Sequence, residues 1–212
     1  MTDTLEHTAT EAATPTVLRA SFNAATLADL ATMATVCGDS SRPIIAAIHL
    51  VGDGATVTAT ATDSYRLARF ERGYSDSGDA FEVLIEGKAF AAAVKSIKGW
   101  ATLEIEGNAW RLVGYEATIG GIVTMGDYPS LDKIIPAEDS YKVGGARVAF
   151  NPTFLADMGK LAPIATAPAK ARKTATLELV SAPDNSHPTV WRVRCNAYDA
   201  PTLYILMPVR IS

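Results

Sequence analysis

The stretch Ala59-Thr60-Ala61-Thr62-Asp63-Ser64-Tyr65-Arg66-Leu67-Ala68 decides how the rest of the chain is interpreted. It begins with alternating small and β-branched residues, which is typical of a strand. An acid, a hydroxyl, an aromatic ring and a guanidinium follow in consecutive positions. In one interpretation this is a hairpin corner, where Asp63 and Ser64 hydrogen-bond the local backbone and Arg66 is a solvated charge.

Two further segments follow in the chain. One is Tyr128-Pro129-Ser130-Leu131-Asp132-Lys133-Ile134-Ile135-Pro136, and the other is Tyr204-Ile205-Leu206-Met207-Pro208-Val209-Arg210-Ile211. The three resemble, in the same order, the Thr-Asp-Gly-His-Arg-Leu-Ala motif, the interdomain connector and the closing Met-Pro-hydrophobic-Arg strand of the bacterial DNA polymerase III sliding clamp, the β processivity subunit. Because three moderately specific motifs keep the family's order, the chain is identified as a shortened member, of phage or plasmid origin.

The resemblance implies an α+β DNA clamp fold, built from repeated units of a strand, a helix and further strands. Helices would line a hole of the size of DNA, and antiparallel sheets would form the outer wall. The implied function is a ring-forming processivity factor that tethers a replicative DNA polymerase to duplex DNA. Its implied partners are double-stranded DNA, bound without sequence preference, and a polymerase and a clamp loader, bound through short linear peptides.

Hydrophobic periodicity predicts three such units. Residues 16–136 form a full clamp domain of two units with the connector at its end, and residues 137–212 form a half domain. The predicted helices are one capped by Asn23, one at 88–98, and one capped by Asn151 with Pro152 first. The predicted strands are 17–22, 44–50, 56–62, 65–71, 81–85, 102–105, 110–113, 118–125, 147–150, 176–180, 190–195 and 203–209.

The repeat count departs from the cellular family. The first domain and the first half of the last domain have no counterpart, which puts the usual dimeric ring in doubt. Family rings contain about a dozen units, so about three units per chain predict a homo-oligomeric ring of four subunits.

In the family, the three motif segments converge on a hydrophobic pocket for the partner peptide. Apolar walls with an adaptable methionine suit Leu and Phe anchors, and Arg66 and Arg210 are expected to hydrogen-bond the peptide. Ser64 replaces the usual Gly and Tyr65 the usual His, so a reshaped rim is expected. The matching pocket positions are Thr62, Ser64, Tyr65, Arg66, Leu67, Pro129, Lys133, Ile134, Ile205, Met207, Pro208, Val209 and Arg210.

Basic residues are the candidates for contact with DNA. A net charge of -4 and a pI near 5.4 argue against a protein that coats nucleic acid, but they permit a locally basic lining. Contacts with phosphates carry no sequence preference, as a sliding protein requires. For any single lysine, a solvated surface charge is the favoured interpretation. The candidates are Lys88, Lys95, Lys98, Lys160, Lys170, Arg172 and Lys173.

Three alternatives remain open. For Leu67, Ile134 and Met207, the alternative to a pocket is ordinary core packing. For the whole chain, the alternative to a sliding clamp is a clamp-derived module that forms no ring and captures or blocks clamp-binding peptides. An enzyme is disfavoured, because a catalytic trio of Asp63, Tyr65 and Arg66 would lack convergent partners.

Other features bound the class of protein. Cys37 and Cys195 are too few and too far apart for a disulfide framework and are predicted to be reduced thiols in a cytoplasmic protein. Residues 1–15 lack the pattern of a secretory signal and are predicted to form a disordered tail. No apolar stretch is long enough to span a bilayer. The chain offers no phosphate-binding loop and no metal-ligand spacing, so neither a cofactor nor a metal is predicted.

Overall fold

The computed structural model of the 212-residue chain describes residues 16–38, 41–131, 134–135, 150–161, 176–181, 188–194 and 202–207. The predicted tail at 1–15 and the predicted strand residues 147–149 lie outside these ranges. The same holds for Cys195 and for the site candidates Lys133, Lys170, Arg172, Lys173, Pro208, Val209 and Arg210.

Within the described ranges the chain forms helices and antiparallel strands, which confirms the predicted α+β class. The helices are α1 (Ala24–Ala34), α2 (Gly87–Ser96) and α3 (Pro152–Met158), and α3 continues into a 3-10 turn at Gly159–Leu161. The strands are β1 (Val17–Phe22), β2 (Ala47–Asp53), β3 (Thr56–Thr62), β4 (Arg66–Gly73), β5 (Ala80–Glu86), β6 (Ala101–Glu106), β7 (Ala109–Gly114), β8 (Thr118–Ile122), β9 (Thr176–Ser181), β10 (Thr189–Arg194) and β11 (Thr202–Leu206). No helix among these has the length and hydropathy of a membrane span.

Side-chain caps fix where the helices begin. Asn23 Oδ1 accepts a hydrogen bond from the backbone N–H of Thr26 at 2.9 Å, as predicted for the start of α1. Glu86 plays the same part for α2, because its carboxylate accepts from the N–H of Ala89 at 2.6 Å. Asn151 Oδ1 accepts from the N–H of Thr153 at 3.0 Å, and Pro152 is the first residue of α3.

Several predicted boundaries are wrong: β11 ends at Leu206 rather than at residue 209, Phe150 lies outside any strand, and three further differences have identifiable reasons. Strand β2 begins at Ala47 rather than at residue 44, because the N–H of Ala46 donates to the carbonyl of Arg42 in a turn. Helix α2 ends at Ser96, since Ile97 has extended backbone angles. Strand β8 ends at Ile122, after which the chain crosses to β5, where the N–H of Thr124 donates to the carbonyl of Leu84.

Two antiparallel sheets organise the structure. One has the strand order β1-β6-β7-β8, and the other has the order β5-β2-β3-β4-β11-β10-β9. In the larger sheet β4 pairs with β11, so that Leu203 faces Arg69 and Leu206 faces Arg66. This pairing joins strands of the predicted first and third units in one seven-stranded sheet. The division of the chain at residue 136 into a full domain and a half domain stays a prediction.

The two faces of the seven-stranded sheet have different roles. The inner face packs on the helices and on the smaller sheet in one continuous core. The outer face of β4, β11 and β10 carries a second, small apolar cluster around Leu67, Ile205 and Val190. Large fully buried side chains of the main core are Phe22, Leu30, Ile48, Phe90, Trp110 and Tyr204.

A buried ion pair ties α1 to β4. Arg72 Nε donates to Asp29 Oδ2 at 3.0 Å, and the two side chains are only 5% and 4% exposed. The Arg72 guanidinium also donates to the carbonyl of Glu71 at 2.8 Å and lies 4.4 Å from the ring centre of Phe70. Because a buried charge without its partner is costly, this pair fixes the position of the helix over the sheet.

We expect Asp29→Ala to lower the free energy of unfolding by about 3–5 kcal/mol, since it leaves the Arg72 guanidinium buried without its carboxylate. Denaturant titration followed by circular dichroism measures this change. The double variant Asp29→Leu/Arg72→Met removes both charges and is the control, which should cost less than the single variant. A double variant that is less stable than Asp29→Ala would contradict this role.

Candidate functional site

Residues 62–66 form a tight corner between β3 and β4. The Asp63 carboxylate accepts hydrogen bonds from the backbone N–H groups of Tyr65 and Arg66, both at 3.0 Å. The Thr62 hydroxyl donates to the carbonyl of Arg66 at 2.7 Å, and its oxygen accepts from the N–H of Ser64 at 3.1 Å. The predicted local bonding by Asp63 is therefore confirmed, and it holds the corner in one conformation.

Ser64 occupies a backbone conformation that favours glycine. Its φ of 79° makes it the one non-glycine residue with positive φ in the described part of the chain. Glycine, which stands at this position in the motif that the segment resembles, would adopt such a φ without strain. The Ser64 hydroxyl accepts from Arg42 Nη1 at 3.1 Å, a contact that differs from the predicted bond with the local backbone.

An open cavity of about 430 Å³ lies beside this corner. Its floor consists of Leu67 on β4, Ile205 on β11 and Leu131 in the connector, which are 3%, 2% and 8% exposed. Leu67 and Ile205 face each other directly in the β4–β11 pair. The floor is therefore a consequence of that pairing, and it belongs to the small outer cluster rather than to the main core.

The rim of the cavity is apolar and exposed. Tyr65, Met207 and Ile134 have 63%, 42% and 41% of their surface accessible. Core packing alone therefore accounts for the apolar side chain of the buried Leu67. It does not account for the apolar side chains of the exposed Ile134 and Met207. Of the thirteen predicted pocket residues, four lie outside the described ranges, and the other nine line this cavity: Thr62, Ser64, Tyr65, Arg66, Leu67, Pro129, Ile134, Ile205 and Met207.

Three residues of the lining were not predicted. They are Ile45, Leu131 and Pro188. Leu131 lies within the quoted connector segment. Its apolar side chain, two residues after the predicted pocket residue Pro129, could have indicated that it also lines the cavity. Ile45 precedes β2 and Pro188 precedes β10, so only the strand pairing brings them to the cavity.

Arg66 differs most from its prediction. Its guanidinium is 11% exposed rather than solvated, because Nε donates to Asp63 at 2.9 Å and Nη1 donates to Asp157 on α3. It also lies 4.9 Å from the ring centre of Phe154. Arg66 thus contributes to the wall of the cavity while its charge holds β4 on α3, and a hydrogen bond from its guanidinium to a peptide stays a prediction.

The ionisation of this contact follows from its geometry. Burial lowers the pKa of Arg66, but hydrogen bonds with Asp157, Tyr204 and Asp63 outweigh that effect and raise the pKa above its usual value. Burial likewise raises the pKa of Asp157, but bonds from Lys160 and Arg66 outweigh it and lower the pKa below the ordinary 3.8. Both groups are thus charged at neutral pH.

The described basic candidates lie on or next to helices. Lys88 and Lys95 are exposed on α2, and Lys98 follows its end. Lys98 is 3.9 Å from Glu116, and Lys160 is 2.6 Å from Asp157 in the 3-10 turn after α3. Of these four, Lys88 and Lys95 have no ion pair with another described residue.

The chain is similar in sequence and fold to bacterial sliding clamps. The chain is 31% identical over 106 residues to the beta sliding clamp of Micrococcus luteus, a match covering 46% of this chain and 34% of the relative. The crystal structure of the DNA polymerase sliding clamp from Bacillus subtilis matches 92% of this chain and 64% of its own, at 15% identity and a TM-score of 0.70. The sliding clamp from Pseudomonas aeruginosa with ligand matches 97% and 69%, at 14% identity and a TM-score of 0.71.

These matches confirm the predicted sliding-clamp fold. The chain spans about a third of the length of the curated relative and about two thirds of the solved clamp chains. No family model matches the sequence.

Loss of the Asp157 carboxylate tests the contact between β4 and α3. Asp157→Asn should lower the free energy of unfolding by about 1–3 kcal/mol at pH 7, since it removes the charge that Arg66 and Lys160 contact. Because the folded pKa of Asp157 is lowered, its contribution is complete above the ordinary pKa of 3.8 and is lost as the pH falls through the lower folded value.

Denaturant titrations at pH 7 and near pH 3 measure both effects. The stability difference between wild type and Asp157→Asn should therefore shrink at the lower pH. Glu116→Gln is the control, because its pair with Lys98 is exposed on both sides and should contribute little. A difference that grows towards acid would contradict the assignment.

Proposed function

We propose that this chain, a relative of the bacterial β sliding clamps, is itself a DNA sliding clamp, a ring-forming factor without enzymatic activity that holds a replicative polymerase on duplex DNA. The observation that carries the proposal is the cavity at which the 62–67 corner, the connector and the end of β11 meet. These are the same three segments on which the sequence resemblance depends.

The cavity suits a short peptide with bulky apolar anchors. Its floor of Leu67, Leu131 and Ile205 is buried and preformed, so little ordering is needed on binding. Its rim of Tyr65, Ile134 and Met207 exposes apolar surface that a bound Leu or Phe side chain would cover. A polymerase and a clamp loader that carry such peptides are the proposed partners.

Ring formation is proposed from strand edges. In the described part of the chain, β8 pairs only with β7, and β9 pairs only with β10. The β8 sequence, Thr118–Ile122, contains no charged residue or proline that would discourage pairing with another strand. Pairing β8 of one copy with β9 of the next would assemble copies head to tail, and about four copies of about three units would complete a ring of the family's size.

Contact with duplex DNA is proposed through the helices. The described helices carry two carboxylates, Asp29 and Asp157, and both are held in ion pairs with arginines. Helix α2 itself contains no acidic residue, and its exposed Lys88 and Lys95 form no ion pair with a described residue, the N-cap Glu86 included. Such a surface attracts phosphates without reading base sequence.

A cytoplasmic location is proposed with this role in replication. The free thiol of Cys37 suits a reducing compartment. Burial raises its pKa to about 12, so it is protonated and unreactive at neutral pH.

The pocket is tested with a peptide that contains Leu and Phe anchors. Met207→Ala should weaken its binding by about 1–3 kcal/mol, because it removes a wall of the anchor site. Calorimetry measures the affinity, and thermal unfolding should change little because Met207 is partly exposed. Leu67→Ala is less informative, because Leu67 is buried in the small outer cluster and its truncation should also lower the stability of the fold.

Met125→Ala is the matched control. Met125 is 76% exposed and lines a different surface cavity, so its removal should leave peptide affinity unchanged. Equal effects of the two methionine variants, or unfolding of Met207→Ala, would contradict the assignment of the pocket.

Topological binding is tested on circular DNA. A loaded ring should be retained on a nicked plasmid and released when the plasmid is cut, whereas short linear duplex should bind weakly and with strong salt dependence. Lys88→Glu/Lys95→Glu should reduce retention. Light scattering of the same preparation gives the number of subunits, and a monodisperse monomer, or equal retention on cut and uncut plasmid, would contradict the clamp and favour a module that only binds peptides.

A further inference from the structure

A second cleft adjoins the apolar pocket on the outer face of the large sheet. It has a volume of about 270 Å³ and shares Pro129 and Leu131 with the pocket as a common wall. On the far side of that wall the lining is polar, with His49, Thr60 and Arg69. A chain seated in the pocket would thus reach the second cleft by passing over the connector.

Strand register explains why these polar side chains lie together. His49 on β2 faces Thr60 on β3, and Thr60 faces Arg69 on β4. Residues directly opposite each other in antiparallel strands point to the same face of the sheet. The Tyr128 ring covers one end of this row, because it stacks on His49 at a centroid distance of 4.7 Å.

The cleft is rich in hydrogen-bond donors and contains no carboxylate in its lining. Arg69 is exposed and forms no ion pair with another described residue. Two acids on this face stand outside the lining: the Glu82 carboxylate accepts a hydrogen bond from His49 Nε2 at 2.8 Å, and Glu71 lies two residues after Arg69 on β4. The unneutralised charge of the lining is therefore positive.

Arg66 and Arg69 have divided roles. Arg66 points to the inner face, where Asp63 and Asp157 neutralise it. Arg69 lies two residues after Leu67 on β4. Because side chains alternate between the two faces of a strand, Arg69 projects from the same outer face as the floor of the pocket. Of these two arginines on β4, Arg69 is the one whose charge no described carboxylate neutralises.

We propose that this polar cleft is a second recognition site for the partner peptide, which binds an acidic side chain within a few residues of the apolar anchor. The inference rests on the proposed peptide-binding function. The Arg69 guanidinium pairs with the carboxylate, and the partly exposed Thr58 supplies a hydroxyl donor. The acid adds selectivity among peptides, while the anchor supplies the apolar contact.

The test uses peptides with one constant Leu/Phe anchor and a single Glu placed at each flanking position in turn, each compared with its Gln counterpart. Fluorescence anisotropy measures the affinities. At one or two positions on one side of the anchor, wild type should bind the Glu peptide about 5- to 50-fold more tightly than the Gln peptide. Arg69→Gln should abolish this preference and leave the affinity for the Gln peptide nearly unchanged.

Arg19→Gln is the matched control. Arg19 is an exposed arginine on the smaller sheet, where it pairs with Glu104, and its loss should leave the preference intact. Equal binding of Glu and Gln peptides at every position, or a preference that survives Arg69→Gln, would overturn this inference. If the peptides still bind through their Leu/Phe anchor in that case, the proposed peptide pocket is retained. Absence of binding by every peptide would overturn both.

Discussion

The pairing of β4 with β11 is the interaction on which the rest of the structure depends. It joins strands from distant parts of the chain into one seven-stranded sheet, with Leu67 opposite Ile205 and Arg66 opposite Leu206. Because side chains alternate along each strand, the same four residues serve two faces. Leu67 and Ile205 form the floor of the outer cavity, while Arg66 and Leu206 face the helices. A register shift of one residue would exchange these faces and remove the cavity.

The two faces separate stability from recognition. On the inner face, the contacts of Arg72 with Asp29 and of Arg66 with Asp157 fix α1 and α3 against the sheet. On the outer face, a small apolar cluster supports an exposed rim, and a row of polar side chains continues beyond the connector. The inner ion pairs neutralise the carboxylates of α1 and α3. Helix α2 carries no acidic residue, so its charged side chains are the exposed lysines proposed to contact DNA.

Local signals in the sequence were sufficient for most elements and for the identity of the pocket segments. Asn23 and Asn151 were predicted as helix caps because capping depends on neighbouring backbone groups, and strand β3 was predicted with its observed bounds for the same local reason. The direction of the Arg66 side chain was not predicted, since it depends on Asp157 in a distant helix. Ile45, Pro188 and the row of His49, Thr60 and Arg69 were also missed, because only strand register brings them to the site.

The most direct test of this account is hydrogen exchange with and without a saturating Leu/Phe peptide. If the β4–β11 pair creates the recognition site, binding should slow exchange together at 62–67, in the connector at 128–131 and at 203–207, and it should leave α2 unchanged. The shared response matters, because these segments are far apart in sequence and meet only through the pairing. Protection of one segment without the others, or protection centred on α2, would contradict the account.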